Sequence, residues 1–293
     1  MQFKMFQEAR KGARPSNQDR IGYVYTNDCL MMIVCDGMGG HARGEVASQI
    51  AVDSLANSFR KNASPKIKDP ATFLARSILL AHNTILTFAK AQDMPETPRT
   101  TCVAAIVQDG KAWWAHVGDS RLYLLRAGLV QDRTIDHSHV QNLIDQGAIT
   151  EAQAIVHPER NKIFNCLGQP VPPRIDVHPS TTLRANDKLV LCSDGFWGPL
   201  LPEFLAKSLE HGRAGVNIPM LMDVAEALSG RECDNLSAVS MTWIANEGSA
   251  KNAGFPDPAA EELDVDEQAL SMSMSVILKT LCARPSFKGN QAA

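Results

Sequence analysis

Two apolar runs that each end on an acid–glycine pair constrain this chain most. Met31-Met32-Ile33-Val34-Cys35 runs into Asp36-Gly37-Met38-Gly39-Gly40-His41, and Leu189-Val190-Leu191-Cys192-Ser193 runs into Asp194-Gly195. A carboxylate at the end of a buried strand, followed by glycine, sets a hard oxygen ligand where backbone can approach closely, and the Gly37 carbonyl could join it. Three more aspartates occupy comparable settings. Asp119 follows Trp113-Trp114-Ala115-His116-Val117-Gly118, Asp234 precedes an apolar segment, and Asp19 lies in Ser16-Asn17-Gln18-Asp19. Any one of these alone reads as a turn or cap residue, since Asp-Gly is a common turn pair. The repetition matters more. Acids at strand ends can converge on one edge of a sheet, where they repel one another unless cations neutralise them. All-oxygen ligands favour Mg²⁺ or Mn²⁺ over zinc or copper. Residue chemistry alone therefore reaches a hard-metal hydrolase of unspecified substrate.

Around these acids the periodicity predicts strands at 20–25, 29–35, 101–107, 112–117, 120–125, 174–179, 188–192 and 236–244. It predicts helices at 44–60, with Val46, Ile50, Leu55 and Phe59 near one face, and at 70–91, where Leu74, Ile78, Ala81, Ile85 and Phe88 step by four and three. Further helices fit 202–210 and 216–229, and 137–160 reads as short helices and loop. Gln108-Asp109-Gly110-Lys111 is a hairpin turn signal. Strands joined by tight turns, with helices grouped in blocks, argue for an α+β fold of antiparallel sheets with helices packed outside.

Composition bounds the rest. The 293 residues carry a formal net charge of −3 and 44% hydrophobic residues, ordinary for a globular chain and without the basic excess of a nucleic-acid binder. Seven cysteines, none paired as Cys-x-x-Cys, read as buried reduced thiols. The N-terminus lacks the apolar core of a signal peptide, and no apolar run approaches a membrane span of about 20 residues, so a soluble, cytoplasmic protein is expected. Residues 254–267 hold six acids and no base, which reads as an exposed linker. Leu270, Met274, Ile277, Leu278 and Leu281 then share one helical face. Three readings stay open for that stretch: a helix docked on its own domain, a partner-binding helix, or disorder.

With these residues in view, the sequence resembles the metal-dependent protein phosphatases of the phosphatase 2C type in their compact bacterial form. The match runs in order over about residues 8–244: Arg14-x-x-Asn17-Gln18-Asp19, Val34 to His41 with Gly44-Glu45-x-Ala47-Ser48, Thr100-Thr101-Cys102, Val117-Gly118-Asp119-Ser120-Arg121, Asp136-His137-Ser138, His157-Pro158-x-Arg160-Asn161, Leu167-Gly168, Cys192-Ser193-Asp194-Gly195-Phe196-Trp197 and Asp234-Asn235-x-Ser237. The resemblance implies a four-layer α-β-β-α sandwich with two central antiparallel sheets, formed by residues 1–246, with 247–293 as an acidic linker and short amphipathic extension. It implies two Mn²⁺ or Mg²⁺ ions at one end. Asp36 would bridge them, the Gly37 carbonyl would bind one, Asp194 and Asp234 would hold the other, and Asp19 would act through water. Asp119 would share a weaker third ion with Asp194, and Arg14 would grip the substrate phosphate. The implied reaction is hydrolysis of phosphoserine and phosphothreonine by water activated between the ions, with Arg14, Asp36 and Asp194 as catalytic residues. Phosphorylated proteins would be the substrates, a serine/threonine kinase the opposing partner, and the chain a monomer without nucleic acid or membrane partners.

The chain departs from the family pattern in places. Met38 stands where many members carry a histidine after Asp-Gly, and His41 reads as a hydrogen-bonding neighbour of the site rather than its general acid. Arg99 stands where a glycine usually precedes the two threonines. The resemblance places a mobile flap within 145–172. Two other classes compete: a catalytically idle phosphoprotein-binding module, which predicts lost ligand aspartates, and a two-metal nuclease or small-molecule phosphatase.

Overall fold

Strand β3 (Cys29–Cys35) is buried along its whole length, and its alternation shows why the run is continuously apolar. Cys29, Met31, Ile33 and Cys35 pack toward helices, whereas Leu30, Met32 and Val34 face a second sheet. A strand covered on both faces needs apolar residues at every position. The structure, a computed structural model, describes residues 1–38, 43–150, 153–154 and 157–245.

Two five-stranded antiparallel sheets form the centre. One has the order β10 (Asp176–Thr182), β7 (Lys111–Val117), β6 (Cys102–Gln108), β3 and β2 (Arg20–Tyr25). The other has the order β1 (Gln2–Arg10), β12 (Leu236–Ala245), β11 (Lys188–Cys192), β8 (Arg121–Arg126) and β9 (Leu129–Arg133). Val103, Ala105, Val107 and Trp114 from the first sheet meet Leu122, Leu124, Leu189, Leu191, Val239 and Met241 from the second. Helices α1 (Gly44–Asn62) and α2 (Pro70–Ala91) cover the first sheet. A short α3 (His139–Asp145) follows β9. One helical turn, α4 (Asp194–Trp197), leads to α5 (Pro202–Ser208) and α6 (Ala214–Ser229), which lie against β9 and against β1 and β12. The four-layer α-β-β-α sandwich is therefore the observed architecture.

Most expected elements are present within a few residues. The Asp109-Gly110 turn has both residues at positive φ, the backbone of a tight two-residue hairpin. Helix α2 begins at Asp69, whose carboxylate accepts Thr72 N–H at 3.2 Å, with Pro70 at the first helical position. Two corrections are needed. The buried face of α1 runs through Ala47, Ala51, Leu55 and Phe59, with Val46 and Ile50 only half-buried. Small alanines, not the branched residues, let α1 lie close to the sheet. Strands β1 and β9 were not expected. Both are edge strands with no fully buried position; in β1 the alternation is short, Phe3 and Met5, with Met1 just before them, touching the core between the sheets before a polar stretch follows. Backbone pairing also fixes β1, in register from Gln2 opposite Ala245 to Arg10 opposite Leu236. The amphipathic stretch 270–281 and His41 lie outside the described residues, as do 151–152 and 155–156 of the expected flap.

Candidate active site

Asp19, Asp36, Asp119, Asp194 and Asp234 converge at one end of the sandwich. Each follows, precedes or caps a strand, and the local backbone is tied in every case. The Asp36 peptide is held by the two threonines of the β5 (Arg99–Thr100) corner. Thr101 Oγ1 accepts Asp36 N–H at 2.9 Å, Thr101 N–H donates to Asp36 O at 2.9 Å, and Thr100 Oγ1 donates to the same carbonyl at 2.8 Å. Arg99 causes no distortion there. It pairs in an ordinary antiparallel bridge with Met38 of β4 (Gly37–Met38).

The two glycines of the Asp-Gly pairs serve packing. A Cβ on Gly37 would sit 2.4 Å from Gly44 O and 2.5 Å from Gln18 O, so only glycine lets the loop before Asp19 and the start of α1 close on Asp36. A Cβ on Gly195 would lie 2.2 Å from Asn235 O. The glycine after Asp194 thus admits the Asp234–Asn235 segment.

Three polar side chains bind the acids into one unit, and the sequence assigned none of them a role. Asn235 accepts Gln18 N–H at 2.8 Å and donates to Lys11 O at 2.8 Å and Ser16 O at 3.0 Å, closing the loop between β1 and β2 over the start of β12. Ser193 Oγ donates to Asp19 Oδ2 at 2.7 Å while accepting Ser237 N–H at 3.0 Å. Trp197 Nε1 donates to Asp119 O at 3.0 Å, and its ring carries the Arg121 guanidinium 3.3 Å from the centroid. One turn of helix thereby joins Asp194 to Asp119. The available signal was position: Ser193, Asn235 and Trp197 each lie within three residues of a site aspartate.

The electrostatics of the cluster are unfavourable as they stand. Burial, with repulsion from Asp194 and Asp234, pushes Asp19 up to about 7. Burial and the negative charge of Asp19, Asp194, Asp119 and Asp234 push Asp36 well above the carboxylate range. Asp119 rises for the same reasons, chiefly burial and then Asp194. Asp194 rises to about 6 through burial and Asp234, although a hydrogen bond with Asp36 opposes this. Asp19 Oδ1 and Asp194 Oδ1 are buried without any hydrogen-bond partner. Orphaned carboxylate oxygens amid mutual repulsion are what a divalent cation relieves, so the residues present fit Mn²⁺ or Mg²⁺.

Arg14 lies at the mouth of this cluster. Its guanidinium forks onto Asp234, with Nε 2.8 Å from Oδ1 and an Nη 2.6 Å from Oδ2. That hydrogen bond and charge raise the Arg14 pKa. Gly12, at φ +60°, lets the Arg14 loop lie directly on Asp234, since a Cβ there would fall 2.1 Å from Asp234 O.

A helix-covered double sheet whose edge gathers five aspartates is a framework suited to holding divalent cations. The family model for protein phosphatase 2C matches residues 9–236. The chain belongs to the protein phosphatase 2C family. It is 33% identical over 227 residues to the serine/threonine protein phosphatase PstP of Mycobacterium tuberculosis, covering 77% of this chain and 42% of that protein. It thus spans less than half the length of that relative. It is 34% identical over 201 residues to the serine/threonine phosphatase stp of Listeria innocua, covering 68% of this chain and 79% of that one. The solved catalytic domain of PstP in complex with two manganese ions superposes with a TM-score of 0.69 at 28% identity, covering 83% of this chain and 99% of that one.

Proposed function

We propose that this chain is a protein serine/threonine phosphatase that hydrolyses phosphoserine and phosphothreonine esters at a Mn²⁺ or Mg²⁺ pair held by its aspartate cluster. The observation that carries the reading is the convergence of five aspartates with two orphaned buried oxygens. In this reading Asp36, the Gly37 carbonyl, Asp194 and Asp234 would hold the ion pair, and Asp19 would act through water. Asp119, with Asp194, would hold a weaker third ion. Bound divalent ions supply a water acidified to near neutrality and a Lewis-acid clamp on phosphoryl oxygens. The chain's own residues do the rest. With Asp234 engaged as a ligand, the Arg14 fork would be free to grip two phosphoryl oxygens of an incoming ester. Thr100, Thr101 and Ser193 hold Asp36 and Asp19 still, so positioning costs nothing at the moment of reaction.

Residues 1–246 form the catalytic domain in this reading, and 247–293 an appended acidic linker with an amphipathic segment. The chain works as a monomer in the cytoplasm, in signalling against a serine/threonine kinase. Six cysteines of the described residues are buried free thiols, which suits a reducing compartment. Among the described residues no helix is long and apolar enough to cross a membrane. The relatives named above are serine/threonine phosphatases, which supports a phosphoprotein substrate over nucleic acid or a small phosphate ester.

The test is turnover of a phosphothreonine peptide with and without Mn²⁺, for wild type, Asp36→Asn and Asp194→Asn. Metal-dependent turnover that falls by at least about a hundredfold in both variants, at unchanged folding, is expected from losing a charged group that orders the reaction centre. Full activity after exhaustive chelation, or binding of the phosphopeptide without turnover, would refute it.

A further inference from the structure

His116, His137 and Asp176 bring three metal-type donors within 4.8 Å of one another beside the turn that carries Asp119. Proton positions argue against a metal there. His137 Nδ1 faces two donors, Gly118 N–H at 3.2 Å and Asn165 Nδ2 at 2.7 Å. The Asn165 amide has one orientation, because Nδ2 also donates to Arg174 O at 2.7 Å and Oδ1 accepts Arg174 N–H at 3.1 Å. His137 Nδ1 is therefore an acceptor, and the ring proton resides on Nε2, which lies 3.2 Å from Asp176 Oδ2 as a charge contact without hydrogen-bond alignment. A protonated Nε2 has no lone pair to give a cation. Burial lowers the His137 pKa, consistent with a neutral ring. His116 stacks on that ring at 4.7 Å and directs its own Nε2 to Ile135 O at 2.8 Å.

We propose instead that His137 is a positioning residue for Asp119, acting through the Gly118 peptide. The clamp is two-sided. Gly118 N–H donates to His137 Nδ1, and Gly118 O accepts His137 N–H at 3.0 Å. The turn has no room to relax otherwise: Gly118 sits at φ +101°, and a Cβ there would lie 2.7 Å from Thr101 Cγ2. The same histidine ties in the chain returning from the flap region, for Phe164 N–H donates to His137 O at 3.1 Å and Asn165 reaches the imidazole. One buried side chain thus sets the direction of Asp119 and links it to the segment after residue 160. This inference rests on the reading of Asp119 as a metal ligand.

Two near-isosteric substitutions separate the Gly118 hydrogen bond from the Asp176 charge contact. In His137→Asn the amide oxygen takes the place of Nδ1 and keeps the Gly118 bond while losing Asp176. In His137→Gln the amide reaches the place of Nε2, keeps Asp176 and leaves Gly118 N–H unaccepted. Free Mn²⁺ is counted by electron paramagnetic resonance during titration of both variants, wild type and Asp119→Asn. Exchange of the Gly118 amide proton is followed by NMR in metal-free samples of wild type and the two histidine variants. Asp119→Asn is expected to remove the weakest Mn²⁺ equivalent. His137→Gln should weaken that equivalent about tenfold, the usual effect of losing an outer partner of a ligand, and should speed Gly118 exchange. His137→Asn should stay near wild type in both. Loss of the equivalent in Asp119→Asn with unchanged binding in His137→Gln, or equal weakening in Asn and Gln, would overturn the role of His137 and leave Asp119 as a ligand. Unchanged stoichiometry in Asp119→Asn would remove the ligand reading itself, and this inference with it.

Discussion

Asn235 shows how much one uncharged side chain can decide. Its amide satisfies one backbone N–H and two carbonyls from the loop between β1 and β2, and so holds Asp19 and Arg14 over Asp234. Asn235→Ala leaves three backbone groups without this partner. Each unpaired buried group costs about 1–3 kcal/mol, though water recovers part of it, so a loss of about 2 kcal/mol in urea unfolding is expected. Weaker Mn²⁺ binding should accompany it, because Asp19 moves with the loop. An unchanged unfolding midpoint would show that the loop is fixed by other contacts. Asp36 and Asp194 stood out in the sequence, since each follows an apolar run; Asp19, in a polar stretch, joined them in the site through the resemblance. Their fasteners did not stand out. A serine or asparagine beside an acid carries no pattern of its own, and its partners lie far away, 174 positions apart for Ser193 and Asp19.

Elements differ in how plainly they announce themselves, and burial explains the difference. Strands β3, β6 and β11 are buried throughout, so their sequences are apolar runs, broken only by Gln108 at the end of β6 and Lys188 at the start of β11. Helix α2 buries one stripe and shows its period. Strands β1 and β9 lie at sheet edges, half-buried and mixed in composition, so pairing with a neighbour's backbone adds to the little their own side chains specify. Helix α1 shows a third case: its contact face is alanine-rich, which helical spacing of bulky residues does not reveal. The one-turn helix α4 was read only as the end of an Asp-Gly motif. It holds Asp194 at its start and Trp197 at its end, and this spacing lets Trp197 reach the Asp119 carbonyl.

At the scale of the whole molecule, the site makes folding depend on metal and pH together. Asp19 near 7 and Asp194 near 6 lie above an unfolded aspartate at about 3.9. Between those values the folded chain binds more protons than the unfolded chain. The contribution of these two groups to the stability of the chelated protein therefore falls as pH rises from about 4 to about 7. Mn²⁺ takes the place of those protons, so its stabilising effect should grow over the same window. Thermal melting at several pH values, with chelator and with Mn²⁺, measures both trends; parallel curves would contradict them.

The central claim is that carboxylates distant in sequence hold two divalent ions side by side. Low-temperature electron paramagnetic resonance of the Mn²⁺-loaded protein tests it directly. Two neighbouring ions give an exchange-coupled spectrum, which should be present in wild type and collapse to that of isolated Mn²⁺ in Asp36→Asn. A wild-type spectrum of isolated, uncoupled Mn²⁺ at saturating metal would contradict the account.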